Sequence, residues 1–117
     1  MTYKRFGTFG LSEDGLQGRE RLPNIYPGDV LREDFLEPLG ITPYRLAKRI
    51  GMDQTAIGEI LSGKRSITAN TALRLSRLFG TTAEFWLNLQ ASYDLEEESE
   101  RRADEIDNIQ PLDRIAA

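Results

Sequence analysis

The chain has 117 residues, enough for one domain with tails and too few for two ordinary domains. It contains no cysteine and no histidine, which excludes disulfides, thiol chemistry, and the commonest general base and metal ligand. The formal charge of −4 is unevenly spread: residues 1–40 carry five basic and seven acidic side chains, residues 41–80 seven and two, and residues 81–117 three and ten. A basic centre before an acidic end suits two partners of opposite charge, one region screening the other, or helix faces that merely differ in solvated charge. No apolar run reaches the ~18–20 residues of a membrane span, and the start lacks a signal-peptide apolar stretch, so a cytoplasmic protein without membrane contact is expected.

Residues 1–24 hold Gly7, Gly10, Gly15, Gly18 and Pro23 without a steady period and read as a flexible arm, although Tyr3, Phe6, Phe9, Leu11 and Leu16 make it more apolar than a linker. Pro27-Gly28-Asp29 then opens a helix with Leu31, Phe35 and Leu39 on one face, and Pro38 is expected to end it near Glu37. Thr42 as cap, Pro43 at the first position and Ile41 packed on Leu46 start a second helix. Its Leu46, Ala47 and Ile50 point inward, Tyr44, Arg45, Lys48 and Arg49 outward, and Gly51 is the left-handed stop. Asp53 is expected to cap a third helix, with Ile57, Ile60 and Leu61 buried and Gln54, Thr55, Gly58, Glu59 and Ser62 on the open side. Ser62-Gly63 ends it, ahead of Lys64-Arg65.

Thr68 caps a fourth helix with Ile67 packed on Ala72, an apolar stripe of Ala72, Leu75, Leu78 and Phe79, and Gly80 as its stop. Thr82 caps a fifth, in which Phe85, Trp86, Leu89 and Tyr93 share a face. The i,i+4 pairs Glu97/Arg101 and Glu98/Arg102 carry it past residue 100. Beyond, Pro111 interrupts a weak Ile106, Ile109, Leu112, Ile115 pattern, and fraying is expected. There is no strand alternation and no internal repeat, so the fold expected is all-α with five helices.

The spacing of Ala47, Gly51 and Ile57 is that of a helix-turn-helix: a small residue where two helices cross, a glycine in the tight turn, and an aliphatic plug six residues further. Any short helical hairpin could share that spacing, and the exposed residues favour DNA. Gln54, Thr55, Gly58 and Glu59 form the candidate base-reading set, with Glu59 suited only to a cytosine amino group because it repels phosphate. Arg45, Lys48, Ser62, Lys64 and Arg65 are the candidate phosphate contacts.

Asn24-Ile25-Tyr26-Pro27-Gly28-Asp29-Val30-Leu31, Leu36-Glu37-Pro38-Leu39-Gly40-Ile41, Gly63-Lys64-Arg65-Ser66-Ile67-Thr68-Ala69, Thr71-Ala72-Leu73-Arg74-Leu75 and the block Phe85-Trp86-Leu87-Asn88-Leu89-Gln90-Ala91-Ser92-Tyr93-Asp94-Leu95 together resemble the HigA-type antitoxins. The resemblance implies a lambda-repressor-like five-helix domain of the XRE helix-turn-helix class. It also implies binding to double-stranded operator DNA, repression of the shared operon, and a partner that is a ribonuclease toxin of the HigB type. Tyr26 stands where the family usually has histidine and Asp29 where it usually has glutamate; residues 1–23 extend beyond the usual start.

The expected organisation is an arm over 1–24, a helix-turn-helix DNA-binding domain over 25–95 and an acidic extension over 96–117. Phe85, Trp86, Leu89 and Tyr93 suit either this chain's own core or a homodimer seam, with part of the face serving each. The carboxylates of Asp94, Glu96, Glu97, Glu98 and Glu100 suit a solvated face or contact with a basic toxin, and Asp29, Glu33 and Asp34 suit a helix first turn. No catalytic residue, metal ligand or cofactor is expected. Two alternatives stay open: a stand-alone repressor, and a toxin-binding module whose helix-turn-helix is idle.

Overall fold

The computed structural model describes residues 24–113; most of the expected arm and Ile115 lie outside them. Every regular element among the described residues is helical. Pro27–Val30, the π-helical Leu31–Leu36 and Glu37–Leu39 run on as one helix, α1. Then come α2 (Pro43–Ile50), α3 (Gln54–Leu61), α4 (Ala69–Phe79), α5 (Ala83–Arg101) and α6 (Ala103–Asp107). The first five are those expected, and the weak pattern beyond residue 100 forms a sixth, short helix with all of its residues exposed.

The cap signals set most boundaries. The hydroxyls of Thr42, Thr68 and Thr82 accept the backbone N–H three residues on, at 3.1, 3.4 and 3.1 Å. Asp53 is a correction. It occupies the position before α3 with extended dihedrals, but its carboxylate accepts no capping hydrogen bond. It is exposed, and its carboxylate is solvated there in place of accepting from a backbone N–H.

Pro38 does not end α1 near Glu37. A proline within a helix lacks an N–H and crowds the carbonyl four residues back. Here the preceding six residues are wound as a π-helix, with the Glu37 N–H donating five residues back to Arg32, and the wider turn accommodates the ring. The helix continues to Leu39. The Ile41 N–H then donates to the Leu36 carbonyl at 2.9 Å and the Gly40 N–H to that of Glu37 at 3.2 Å. The winding also moves the buried face. Val30 with Phe35 and Leu31 with Leu36, each five apart, are in the core, while Leu39 is 54% exposed.

The core gathers α1 to α5 around Trp86, whose side chain is fully buried. Phe35 lies 4.9 Å from both Phe79 and Trp86, and Phe85 meets Trp86 edge-on at 4.9 Å. The indole N–H donates to Thr81 Oγ1 at 2.8 Å. Trp86 and Leu89 thus belong to this chain's own core, whereas Phe85 and Tyr93 are half-buried. Tyr93 packs edge-on against Tyr26 at 5.9 Å, and burial, then the charges of Glu97 and Asp94, push its hydroxyl above the ordinary pKa. The expected Glu97/Arg101 pair is not made. Glu97 instead accepts from the Asn24 side chain at 3.0 Å, and Arg101 pairs with Glu98 at 2.9 Å. Asn24 also donates to the Tyr93 carbonyl, so the last residue of the expected arm is anchored on α5.

Candidate nucleic-acid interface

The α2–turn–α3 unit is built as its spacing requires. Leu46, Ala47 and Ile50 bury one face of α2; Ile57, Ile60 and Leu61 bury one face of α3. Gly51 sits at φ +70°, a conformation that costs an L side chain about 1 kcal/mol or more. The Met52 N–H donates to the Ala47 carbonyl at 2.9 Å, closing the end of α2. An arginine far along the chain completes the turn. The Arg74 guanidinium, from α4, donates to the Ile50 carbonyl at 2.8 Å and the Gly51 carbonyl at 3.4 Å, and its Nε is held by Asn70 at 2.9 Å. A cation at the C-terminus of α2 meets the negative end of the helix dipole there.

The far end of α3 is clamped by α1. Gly28 lies so close to α3 that an added Cβ would sit 2.3 Å from the Ile60 carbonyl oxygen. The Leu61 carbonyl accepts from the Arg32 guanidinium at 2.5 Å and from the Tyr26 hydroxyl at 3.3 Å, and Arg32 is itself paired with Asp29 at 3.1 Å. The loop after α3 is fixed from α5, where Gln90 Oε1 accepts the Ile67 N–H at 2.7 Å. Helix α3 is therefore held at its turn by Arg74, at its end by Arg32 and Tyr26, and along its following loop by Gln90.

What this frame leaves outside is the set named from sequence. Gln54, Thr55 and Gly58 are exposed on α3, and nothing lies within 4 Å of the space beside Gly58. Arg45, Lys48, Ser62, Lys64 and Arg65 are exposed around it. Lys48 Nζ stands 5.4 Å over the Tyr44 ring. Glu59 and Arg65 are not independent: both Nε and Nη2 of Arg65 donate to Glu59 Oε1, at 2.9 and 2.7 Å. The pairing cancels the charge by which Glu59 would repel phosphate, and it also removes Arg65 from the unpaired cations. The Glu59 carbonyl further accepts from the N–H groups of Lys64 and Arg65 and from the Ser62 hydroxyl, so this one residue shapes the loop.

The chain matches the helix-turn-helix family over residues 33–86. It is 44% identical over 95 residues to virulence-associated protein I of Dichelobacter nodosus, covering 81% of this chain and 87% of that protein. It is 36% identical to antitoxin HigA-1 of Vibrio cholerae, over 73% of this chain and 80% of that one. A solved structure of Pseudomonas aeruginosa antitoxin HigA with the higBA promoter superposes with a TM-score of 0.74 at 36% identity, over 77% of this chain and 99% of that one. The chain belongs to the HigA antitoxin family.

The HigA-type opening around Pro27-Gly28 and the Phe-Trp-Leu-Asn-Leu-Gln block now have physical content. The first seats the end of α3; the second supplies Trp86 for the core and Gln90 for the loop after α3. Arg32 and Arg74 were not singled out from sequence. The opposite charges of Asp29 and Arg32, three apart in a first turn, hint at the former; no local signal marks the latter, whose carbonyl partners lie 23 and 24 residues away. Arg74→Met should keep most of the stem's packing and remove the hydrogen bonds to the turn. The expected loss is about 1–3 kcal/mol of stability, read from urea unfolding, because the Ile50 carbonyl left behind is partly buried.

Proposed function

We propose that this chain is a sequence-specific DNA-binding antitoxin that represses its own toxin–antitoxin operon and neutralises a co-encoded ribonuclease toxin of the HigB type. It acts in the cytoplasm, as a homodimer, and has no catalytic role. The observation that carries the reading is an α3 fixed at both ends with Gln54, Thr55 and Gly58 left exposed among the exposed cations Arg45, Lys48 and Lys64. Family membership supports the antitoxin half; the acidic stretch after Tyr93 offers the charge that a basic, RNA-cleaving partner would meet.

Base reading and phosphate positioning separate in one titration series on operator and random DNA. Gln54→Ala removes a side chain able to pair twice with adenine, so operator binding should weaken by about 1–3 kcal/mol while random-DNA binding and the salt slope stay unchanged. Lys64→Ala should weaken both DNAs alike and reduce the slope of log affinity against log salt by about 0.9. Unchanged operator binding in both variants would leave the idle helix-turn-helix as the better account. The toxin half is tested by co-purification and RNA cleavage: full cleavage in the presence of excess antitoxin would leave a stand-alone repressor.

A further inference from the structure

The loop that carries Lys64 is tied at its two ends and open behind. At its start the Lys64 and Arg65 N–H groups donate to the Glu59 carbonyl at 2.8 and 3.1 Å. At its finish the Ile67 side chain is buried, and the Ile67 N–H donates to Gln90 Oε1 of α5 at 2.7 Å. Between these ties a cavity of about 60 Å³, lined in part by Gly63, Lys64, Ser66 and Gln90, lies behind the loop, so close packing does not fix it on that side. Lys64 is exposed and makes no ion pair among the described residues. Gln90 is itself held: its Nε2 donates to Asp94 Oδ1 at 3.0 Å, one turn further along α5. The two contacts fix the amide one way round. A backbone N–H can only donate, so the amide oxygen faces Ile67; an ionised carboxylate can only accept, so the NH₂ faces Asp94.

We infer that Gln90, oriented by Asp94, is a positioning residue for DNA: it sets the far end of the loop after α3 so that Lys64 reaches a phosphate. This rests on the reading of Lys64 as a phosphate contact and names what holds it in place. A loop released at Ile67 must give up its freedom when DNA arrives, which weakens binding to every sequence alike, since phosphate contacts carry no base information. Asp94 acts one step further back. Without it the amide is free to turn, and a turned amide sets its NH₂ against the Ile67 N–H, two donors face to face. A tie that served only to begin α4 would have a different signature: its loss would lower stability and leave the number of phosphates contacted unchanged.

The test is a double-mutant cycle on the full chain, titrated with operator and random DNA over a range of salt, at a temperature where circular dichroism shows the variants folded. Gln90→Met keeps the length of the side chain and removes both hydrogen bonds. It should weaken both DNAs alike by about tenfold and reduce the slope of log affinity against log salt by about 0.9, although Lys64 is still present. Lys64→Ala added to it should then change little, because the contact is already lost. Gln90→Glu combined with Asp94→Asn exchanges donor and acceptor between the two side chains, keeps an acceptor for Ile67 and the total charge, and should restore the parent's slope. Should Gln90→Met not fold, Asp94→Ala, at an exposed position, takes its place in the cycle with the same signs. A variant with a lowered melting temperature but the parent's slope, or one in which Lys64→Ala still has its full effect, overturns the inference and leaves Lys64 a phosphate contact. Lys64→Ala without effect in the parent overturns both.

Discussion

Gly28→Ala will lower the melting temperature by more than about 10 °C and remove most operator binding. The added Cβ would lie 2.3 Å from the Ile60 carbonyl oxygen, 2.9 Å from that of Leu61 and 3.0 Å from the Leu61 Cα. All three are backbone atoms, so no side chain can rotate out of the way, and α1 must separate from α3. Overpacking of this kind costs about 3 kcal/mol. At about 4–8 °C per kcal/mol for a domain of this size, the shift is easily read by circular dichroism. Separation also breaks the hydrogen bonds from Arg32 and Tyr26 to Leu61, so whatever remains folded presents α3 loosely. Gly58→Ala is the matched control on the same helix. Nothing surrounds its added Cβ, and exchanging a helical glycine for alanine should stabilise by about 0.5–1 kcal/mol. If α3 approaches base edges at Gly58, this more stable variant binds operator less well. The two glycines then report opposite things, one the seat of the helix and the other its exposed face. An unchanged melting temperature for Gly28→Ala would mean that α1 is not packed on α3 as described.

Trp86→Ala should cost about 3–5 kcal/mol, enough to leave a domain of this size unfolded or nearly so at 37 °C. The indole is fully buried, contacts Phe35 and Phe85 at ring separations of 4.9 Å, and has its N–H bound to Thr81. Truncation opens a cavity in the centre of the aromatic cluster. The form of the loss distinguishes a core residue from one at a seam between copies. A core truncation destabilises equally at all protein concentrations, whereas losing a seam residue makes the melting temperature less concentration-dependent. Melts of parent and variant, run across a hundredfold range of concentration, should therefore be displaced by the same amount throughout. Thr81→Val gives a smaller companion effect, about 1–3 kcal/mol, from the buried N–H left without an acceptor.

The parts of this fold that were legible in the sequence are those written locally. Thr42, Thr68 and Thr82 each speak to an N–H three residues on, and Gly51 to its own dihedrals, so three helices and the turn could be placed before any contact was known. Amphipathic periodicity then assigned Leu46, Ile57 and Leu75 to the interior, where they are. The exposure of Gln54, Thr55, Gly58, Arg45 and Lys48 followed from the same periodicity, and that of Lys64 from its place in the loop after α3. What stayed hidden is non-local. Arg74 reaches back to the turn, Arg32 and Tyr26 reach forward to Leu61, and Glu97 leaves its helical neighbour for Asn24, 73 residues away. Such bonds depend on which elements pack together, and one sequence carries no periodic trace of that. The Glu59–Arg65 pair was hidden for a different reason: its six-residue separation spans a helix end and a turn, so helical spacing rules do not apply to it.

The π-helical stretch of α1 makes residue count, more than residue identity, the quantity on which a helix running through Pro38 depends. Each residue of an α-helix adds about 100° of rotation and about 1.5 Å of rise. Removing one residue between Leu31 and Leu36 would let the stretch heal into ordinary α-helix, a locally favourable change. The inward face would survive, because Val30 and Phe35 would then stand four apart in an α-helix, about 400° of rotation, and the cost would fall on Pro38, whose ring would crowd the carbonyl four residues back. Exchange of exposed Glu33 for another helix former leaves the winding untouched. In a deletion scan the stretch should therefore tolerate rewriting and reject shortening, the reverse of what an exposed, partly acidic helix face would suggest.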